Sequence, residues 1–395
     1  VTMSESVYNT NSGSGSLEAS DFSFSIDGGG IATLSSTTPT SISAVGNVYT
    51  LGIPLSGTPN GFETLTVNPV ANSIYDGSGK VASTDQSNNS VKLNDNTSPT
   101  ILSTLLAFDH SNILVTFNEL VYNAAGGSGA LEVSDFTLSS TGGVATIAAL
   151  PSSILIENQY ITLGLNITGT PNGSETLVVV PSSETAIYDA SGNAASKIQS
   201  NNSVLLYDKA PPTLTSVSST KENGTYGIGR AMDIDITFSE TVVVTGNPQL
   251  TLETGENDVT INYNDGAGTV KLSFNYVVSE GDISSDLDYI SSTALAVIGG
   301  NIKDAAGNTS LLALPVPGEA NSLGANKDIV IDGVRPIIEK VTMTKRNENV
   351  EVKMSEPVFN SSLGSGELEI SDFKYELEGG TASLISFAPF TISKK

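Results

Sequence analysis

The feature that most constrains this chain is a repeat of domain length. Val1-Thr-Met-Ser-Glu5-Ser-Val-Tyr8-Asn9 returns as Val115-Thr-Phe-Asn-Glu119-Leu-Val-Tyr122-Asn123 and again as Val352-Lys-Met-Ser-Glu356-Pro-Val-Phe359-Asn360. A Leu-Glu-x-Ser-Asp-Phe element follows each copy, at Leu17 to Phe22, Leu131 to Phe136 and Leu368 to Phe373. Ile236-Thr-Phe-Ser-Glu240 is a more distant fourth copy. The successive glutamates stand 114, 121 and 116 positions apart, so the repeating unit is a whole domain rather than a solenoid turn.

Later segments recur in step. Gly57-Thr-Pro-Asn-Gly61-Phe-Glu63 matches Gly169-Thr-Pro-Asn-Gly173-Ser-Glu175, and Ile74-Tyr-Asp76-Gly-Ser-Gly79-Lys80 matches Ile187-Tyr-Asp189-Ala-Ser-Gly192-Asn193 and, loosely, Ile302-Lys-Asp304-Ala-Ala-Gly307-Asn308. Each unit closes on an Asp followed by Pro, at Asp95 and Pro99, Asp208 and Pro212, Asp332 and Pro336. The expected division is 1–97, 98–209, 210–334 for a divergent unit, and 335–395 for the first half of another. Because Val1 matches Val115, the first unit is expected to lack its opening strand. Both ends then fall inside domains, as in a window on a longer array.

Within each unit the pattern is short strands. Ile113 to Phe117 nearly alternates and Ile234 to Phe238 strictly alternates apolar and polar, Thr176 to Val180 reads as a buried-strand run, and turn residues punctuate every eight to twelve positions. No stretch shows a helical period. About seven strands per unit predict an all-β fold of tandem immunoglobulin-like β-sandwiches in an elongated array, without the Cys-Trp-Cys core of antibody domains, since the chain has no Cys and no Trp. Disulfide staples and Cys/His zinc sites are thereby excluded, and His110 is the only histidine.

These motifs together resemble the tandem bacterial Ig-like repeats of very large surface and secreted adhesins. Asn223 to Gly229, Pro248 to Leu252 and Ser322 to Lys327 resemble a second repeat type of such arrays. The resemblance covers essentially the whole chain. It implies an extracellular, cell-surface protein, of the kind that gliding Bacteroidota export by the type 9 secretion system. The Asn94-Asp95-Asn96 linker is also similar to the calcium linker between cadherin domains.

Charge points to the same junctions. Lys and Arg number 17 against 42 Asp and Glu, a net −25, which repels nucleic acid and anionic lipid. Eight of the basic residues lie in 335–395, leaving nine to face 33 acids in residues 1–334. No apolar run reaches the ~18–20 residues of a membrane helix. An Ig topology brings Asp95, Glu119 and Asp189 to one junction, Asp208, Glu240 and Asp304 to the next, and Asp332 and Glu356 to a third. Ca²⁺ takes six to eight oxygens in irregular geometry, so the expected cofactor is calcium, with Asn193 and Asn308 as further oxygen donors. The competing reading is that the glutamates cap strands and Asp189 and Asp304 make Asx turns.

Other chemistry is weaker. Asp21, Asp135 and Asp372 read as caps of the turn before a buried Phe, and Glu280 to Asp288 as an acidic cluster that could hold its own ion. His110 reads as a solvated turn residue. Gly126 to Gly129 precedes no helix and makes no phosphate cradle. Lys-Asn isopeptide links stay open. Paired acids could run a glycosidase, but acids repeated once per unit at domain junctions argue against an enzyme. The expected role is a non-enzymatic, calcium-stiffened stalk of an adhesin or filament whose partners are its own neighbouring modules. The alternatives are binding of a glycan or another surface through loops such as 120–130 and 360–366, or a subunit of a surface lattice or sheath. A half-module that pairs edges with another copy is a further possibility.

Overall fold

The computed structural model describes residues 1–361 and 364–394; Ser362, Leu363, within the loop 360–366, and Lys395 lie outside the described residues. The chain divides into two compact units, Val1–Ala210 and Pro211–Lys395. Structure is nearly all β, in many small sheets; among the described residues the strand pairings are antiparallel except for Gly224–Gly227 against Ile329–Asp332, and Thr213 and Leu311 form a parallel bridge. The one α-helix among the described residues is a single turn, Leu323–Asn326, capped by Ser322 Oγ.

The first unit holds two hydrophobic clusters, one within residues 3–82 and one within 101–206. The second cluster is the fuller. Strands Ile101–Leu106, Asn112–Phe117, Tyr160–Gly164 and Ile154–Glu157 form one antiparallel sheet; Phe136–Thr141, Thr176–Pro181 and Ser203–Leu205 form another. Both contribute to a single core, with Ile113, Val115, Phe117 and Ile161 from the first and Phe136, Leu138, Leu177 and Val179 from the second. Period-two alternation explains this, since every second side chain of a strand points to the same face. The Thr176–Pro181 strand, which composition suggests is buried throughout, follows that alternation instead: Leu177 and Val179 are buried and Val178 and Val180 only half so.

The first domain repeats this plan in part. Phe22–Asp27, Thr64–Pro69 and Ser90–Lys92 form its three-stranded sheet, and Ile42–Val45 pairs with Val48–Leu51. A cavity of about 860 Å³ lies in this half of the unit, lined by Met3, Phe24, Val67 and Val91 among others. The turn glycines have identifiable tasks. A Cβ on Gly15, Gly129 or Gly366 would lie within 2.1 Å of the side-chain oxygen of Asn9, Asn123 or Asn360, so each Gly-Ser-Gly must leave room for the Asn that closes the preceding strand.

In the second unit a long strand, Ala231–Val244, lies between Leu214–Ser219 and Thr269–Val277 in a sheet that continues through Val259–Asp265, Asn247–Leu252 and Leu295–Ile298, and its end pairs with Ile302–Lys303. Ile234, Ile236, Phe238, Leu272, Phe274 and Tyr276 anchor its core. Asp235 on the opposite face is also buried, because Lys271 Nζ at 2.7 Å and Ser273 Oγ at 2.5 Å donate to its carboxylate. Beyond it, strands Ile338–Met343 and Val350–Met354 form a hairpin, and among the described residues from 335 onward none is buried.

Candidate metal centre

Three carboxylates of the first unit converge through backbone pairing. Tyr122, three residues after Glu119, exchanges both backbone hydrogen bonds with Tyr188, at 2.7 and 2.8 Å, which lays the end of one strand beside the loop that carries Asp189. That loop turns at Gly192, φ +92°, and closes when Asp189 N–H donates to Asn193 O at 3.0 Å. Asp95 arrives on the linker, which is tied to the first domain: Asn96 N–H and Thr97 Oγ1 both donate to Pro59 O at 2.9 Å, and Gly61 packs against Asp95 Cβ. The Thr-Pro-Asn-Gly repeat is therefore the seat of the linker.

One carboxylate oxygen from each of Asp95, Glu119 and Asp189 lies within 4.8 Å of the other two. Asp189 is fully buried, and the other two are half-buried. Asp189 accepts Asn193 N–H at 2.8 Å and Asn193 Nδ2 at 2.7 Å. Asn193 Nδ2 also donates to Asp95 O at 3.1 Å, so its amide faces the linker as a donor rather than offering an oxygen to an ion. Glu119 accepts only from its neighbour, Asn118 Nδ2 at 3.2 Å, among the described residues, and no backbone N–H caps it. Burial, then the charges of Asp189 and Asp95, push the Glu119 carboxyl up to about 7. A set of oxygens with no nitrogen or sulfur donor, in a loop-built site, suits a hard divalent cation.

The remaining predicted residues are placed as follows. Asp208, also in the first unit, accepts Ala210 N–H at 2.9 Å. In the second unit Glu240 and Asp304 bring carboxylate oxygens within 4.8 Å of each other, and Asn308 grips Asp304 with the same two bonds, 2.8 and 2.7 Å, that Asn193 makes to Asp189. Asp332 and Glu356 fall in no group of three acidic side chains among the described residues. The same holds for Glu280 to Asp288, where Asp282 accepts Tyr276 Oη and Ser279 N–H and Asp288 accepts the N–H groups of Tyr289 and Gly318. Asp21, Asp135 and Asp372 cap their turns, each accepting the N–H of the Glu three residues before at 2.7 Å.

No family model matches the chain, and no curated protein matches it. Among solved structures, a crystal structure of the S-layer protein rSbsC is similar at 12% identity and a TM-score of 0.18, covering 90% of this chain and 60% of that one. At that score the likeness carries no argument about fold or role.

His110 corrects the expectation of a solvated turn residue. It does sit in the turn, at φ +61°, but only 8% of it is exposed: Nε2 accepts Tyr207 N–H at 2.9 Å and the two rings stack. An accepting Nε2 requires the neutral ring with its proton on Nδ1. Burial, followed by the Lys209 charge, holds its pKa below the usual value of about 6.5. A depressed histidine contributes stability that is present above its unfolded pKa and is lost as pH falls through the folded one. Melting of the first unit is thus expected to drop between pH 7 and pH 5 by a component of about 1 kcal/mol that His110→Asn removes, the size of one hydrogen bond. Asn tolerates the left-handed backbone, as Asn347 does at the matching turn, φ +58°. An unchanged pH slope in the variant would show that the ring carries no such load.

Sequence reasoning missed two residues that organise these domains. Glu63 and Glu175 are completely buried, and each carboxylate gathers backbone N–H groups: Ala32 and Asn60 for Glu63, Val144, Ala145 and Asn172 for Glu175. Their signal was present in the paired Gly-Thr-Pro-Asn-Gly-x-Glu motifs, where an acid recurs beside apolar strand residues.

Proposed function

We propose that this chain is a non-enzymatic, structural stretch of an extracellular surface protein, built of tandem Ig-like modules whose junctions are stiffened by calcium. The observation that carries the reading is where the acids meet. Asp95, Glu119 and Asp189 come from a linker, a strand end and a loop, and they join where one domain hands over to the next. A cation there would draw the linker to the following domain and reduce its freedom to pivot. The sequence places Asp208, Glu240 and Asp304 at the corresponding positions one repeat later, which suits a device used once per junction.

One carboxylate oxygen from each of the three lies within 4.8 Å of the other two, close enough for a single cation to be shared among them. A binding role has one observation in its favour: Leu120, Val121, Leu131 and Ile156 line an apolar hollow of about 340 Å³ at the loop 120–130. Electron microscopy of the native full-length protein separates the readings. A beaded, unbranched thread in calcium is the expected result, whereas a two-dimensional sheet would transfer the chain to the lattice class.

A further inference from the structure

We propose that Asn193 is a positioning residue, a latch that holds the first domain on the second without any ion. The meaning of this latch rests on the stalk reading, but its chemistry is separate from the acid cluster. The Asn193 amide nitrogen carries two protons, and both are used: one goes to Asp189 Oδ2 at 2.7 Å within the second domain, the other across the junction to the Asp95 backbone oxygen at 3.1 Å on the linker. Asp189, buried and gripped also by Asn193 N–H, fixes the orientation of the amide, so the donor is aimed before the linker arrives.

The linker is equally prepared on its other side. Asn96 N–H and Thr97 Oγ1 bind Pro59 O, and a Cβ on Gly61 would press on Asp95 Cβ at 3.2 Å, so the peptide carrying the Asp95 carbonyl is seated on the first domain. One hydrogen bond between two such immobile groups restrains a pivot in a way that a bond between mobile side chains does not. The same loop position in the first domain holds Lys80, and Asp76 there is held by Ser78 and by the Lys80 backbone N–H rather than by a side-chain amide.

Double electron–electron resonance tests the latch directly, because the chain has no native Cys to compete for spin labels. Labels at Ser43→Cys and Ser139→Cys, both exposed, report on the first and second domains. In excess chelator the otherwise unmodified chain is expected to give a narrow distance distribution, and Asn193→Leu a distribution roughly twice as wide. Glu119→Gln in chelator is expected to stay narrow, since it removes an ion ligand and leaves the latch. An equally narrow distribution for Asn193→Leu would overturn the proposal. So would a broad distribution for the unsubstituted chain in chelator, a result that leaves the calcium reading intact and needs no variant that might fold poorly. Loss of calcium-induced stabilisation with the latch behaviour unchanged would instead remove the ion and keep the latch.

Discussion

Calcium at about a hundred times its dissociation constant is expected to stabilise the first unit by about 2.7 kcal/mol at pH 8, a rise of roughly 5–10 °C in Tm. The reason is the energetic state of Asp95, Glu119 and Asp189 without an ion. Their oxygens lie within 4.8 Å of one another, and Glu119, pushed up to about 7, takes a proton near neutrality to relieve the repulsion. A carboxyl whose folded pKa lies above its unfolded value of about 4.5 contributes stability below that value and loses it as pH rises through the folded pKa. Chelated protein should therefore weaken between about pH 4.5 and pH 7 through this group, and calcium should bind more tightly over the same interval because it displaces that proton. Glu119→Gln separates the two effects. It removes a ligand and one of the repelling charges together, so the variant is expected to melt higher than the parent in chelator at pH 8 while losing its response to calcium. If chelated and calcium-loaded parent protein melt at one temperature at pH 8, the carboxylates do not serve an ion.

Period and alternation made the β architecture readable because the same constraint, one side chain in two facing the core, was imposed three times over on unlike sequences. Ile113, Val115 and Phe117 show it directly, all three buried on one face. The junction was readable for a different reason: Glu119 and Asp189 sit at fixed offsets from Tyr122 and Tyr188, whose backbones pair, so topology alone brings their carboxylates near each other. What could not be read was which polar atoms look inward. Asn193 has the chemistry of an ion ligand, and only the direction of its amide, toward the Asp95 carbonyl, makes it a donor. His110 reads as exposed because a histidine in a turn has no period to betray it, and its burial depends on Tyr207, 97 positions away. Glu63 and Glu175 are hidden by the same limit. A buried carboxylate satisfied by backbone N–H groups has no complementary side chain to mark it, so the recurrence of the acid in the two Thr-Pro-Asn-Gly motifs is the one trace it leaves in the sequence.

That hidden carboxylate supports the largest single-residue effect expected in this chain. Glu175→Ala should destabilise the second domain by about 2–4 kcal/mol, because the buried N–H of Ala145 would lose its acceptor, at about 1–3 kcal/mol for an unsatisfied buried group, and the partly buried N–H groups of Val144 and Asn172 would lose theirs at a smaller cost each. Against a total of about 5–15 kcal/mol for a domain, this leaves it close to unfolding, with Tm lower by about 10 °C or more. Glu175→Gln keeps one acceptor oxygen but turns an NH₂ toward the same donors, and should fall between the two. Gly143 gives an independent check. Its φ is +57° and a Cβ there would lie 2.2 Å from Glu175 Cδ, so Gly143→Ala must expel the carboxylate or distort the loop, and should reproduce most of the loss without altering the acid. Burial alone would raise the Glu175 pKa, but the N–H groups of Ala145, Val144, Glu175 itself and Asn172 outweigh it and hold the group below the ordinary glutamate value. Its contribution is then present above about pH 4.5 and disappears as pH falls through the folded value, so the acid limb of the melting curve should flatten in Glu175→Gln. A Glu175→Ala protein that melts within 2 °C of its parent, a margin of about 1 kcal/mol or less, would mean that water or a shifted loop satisfies those donors, and that the recurring Glu of the Thr-Pro-Asn-Gly motif has some other task.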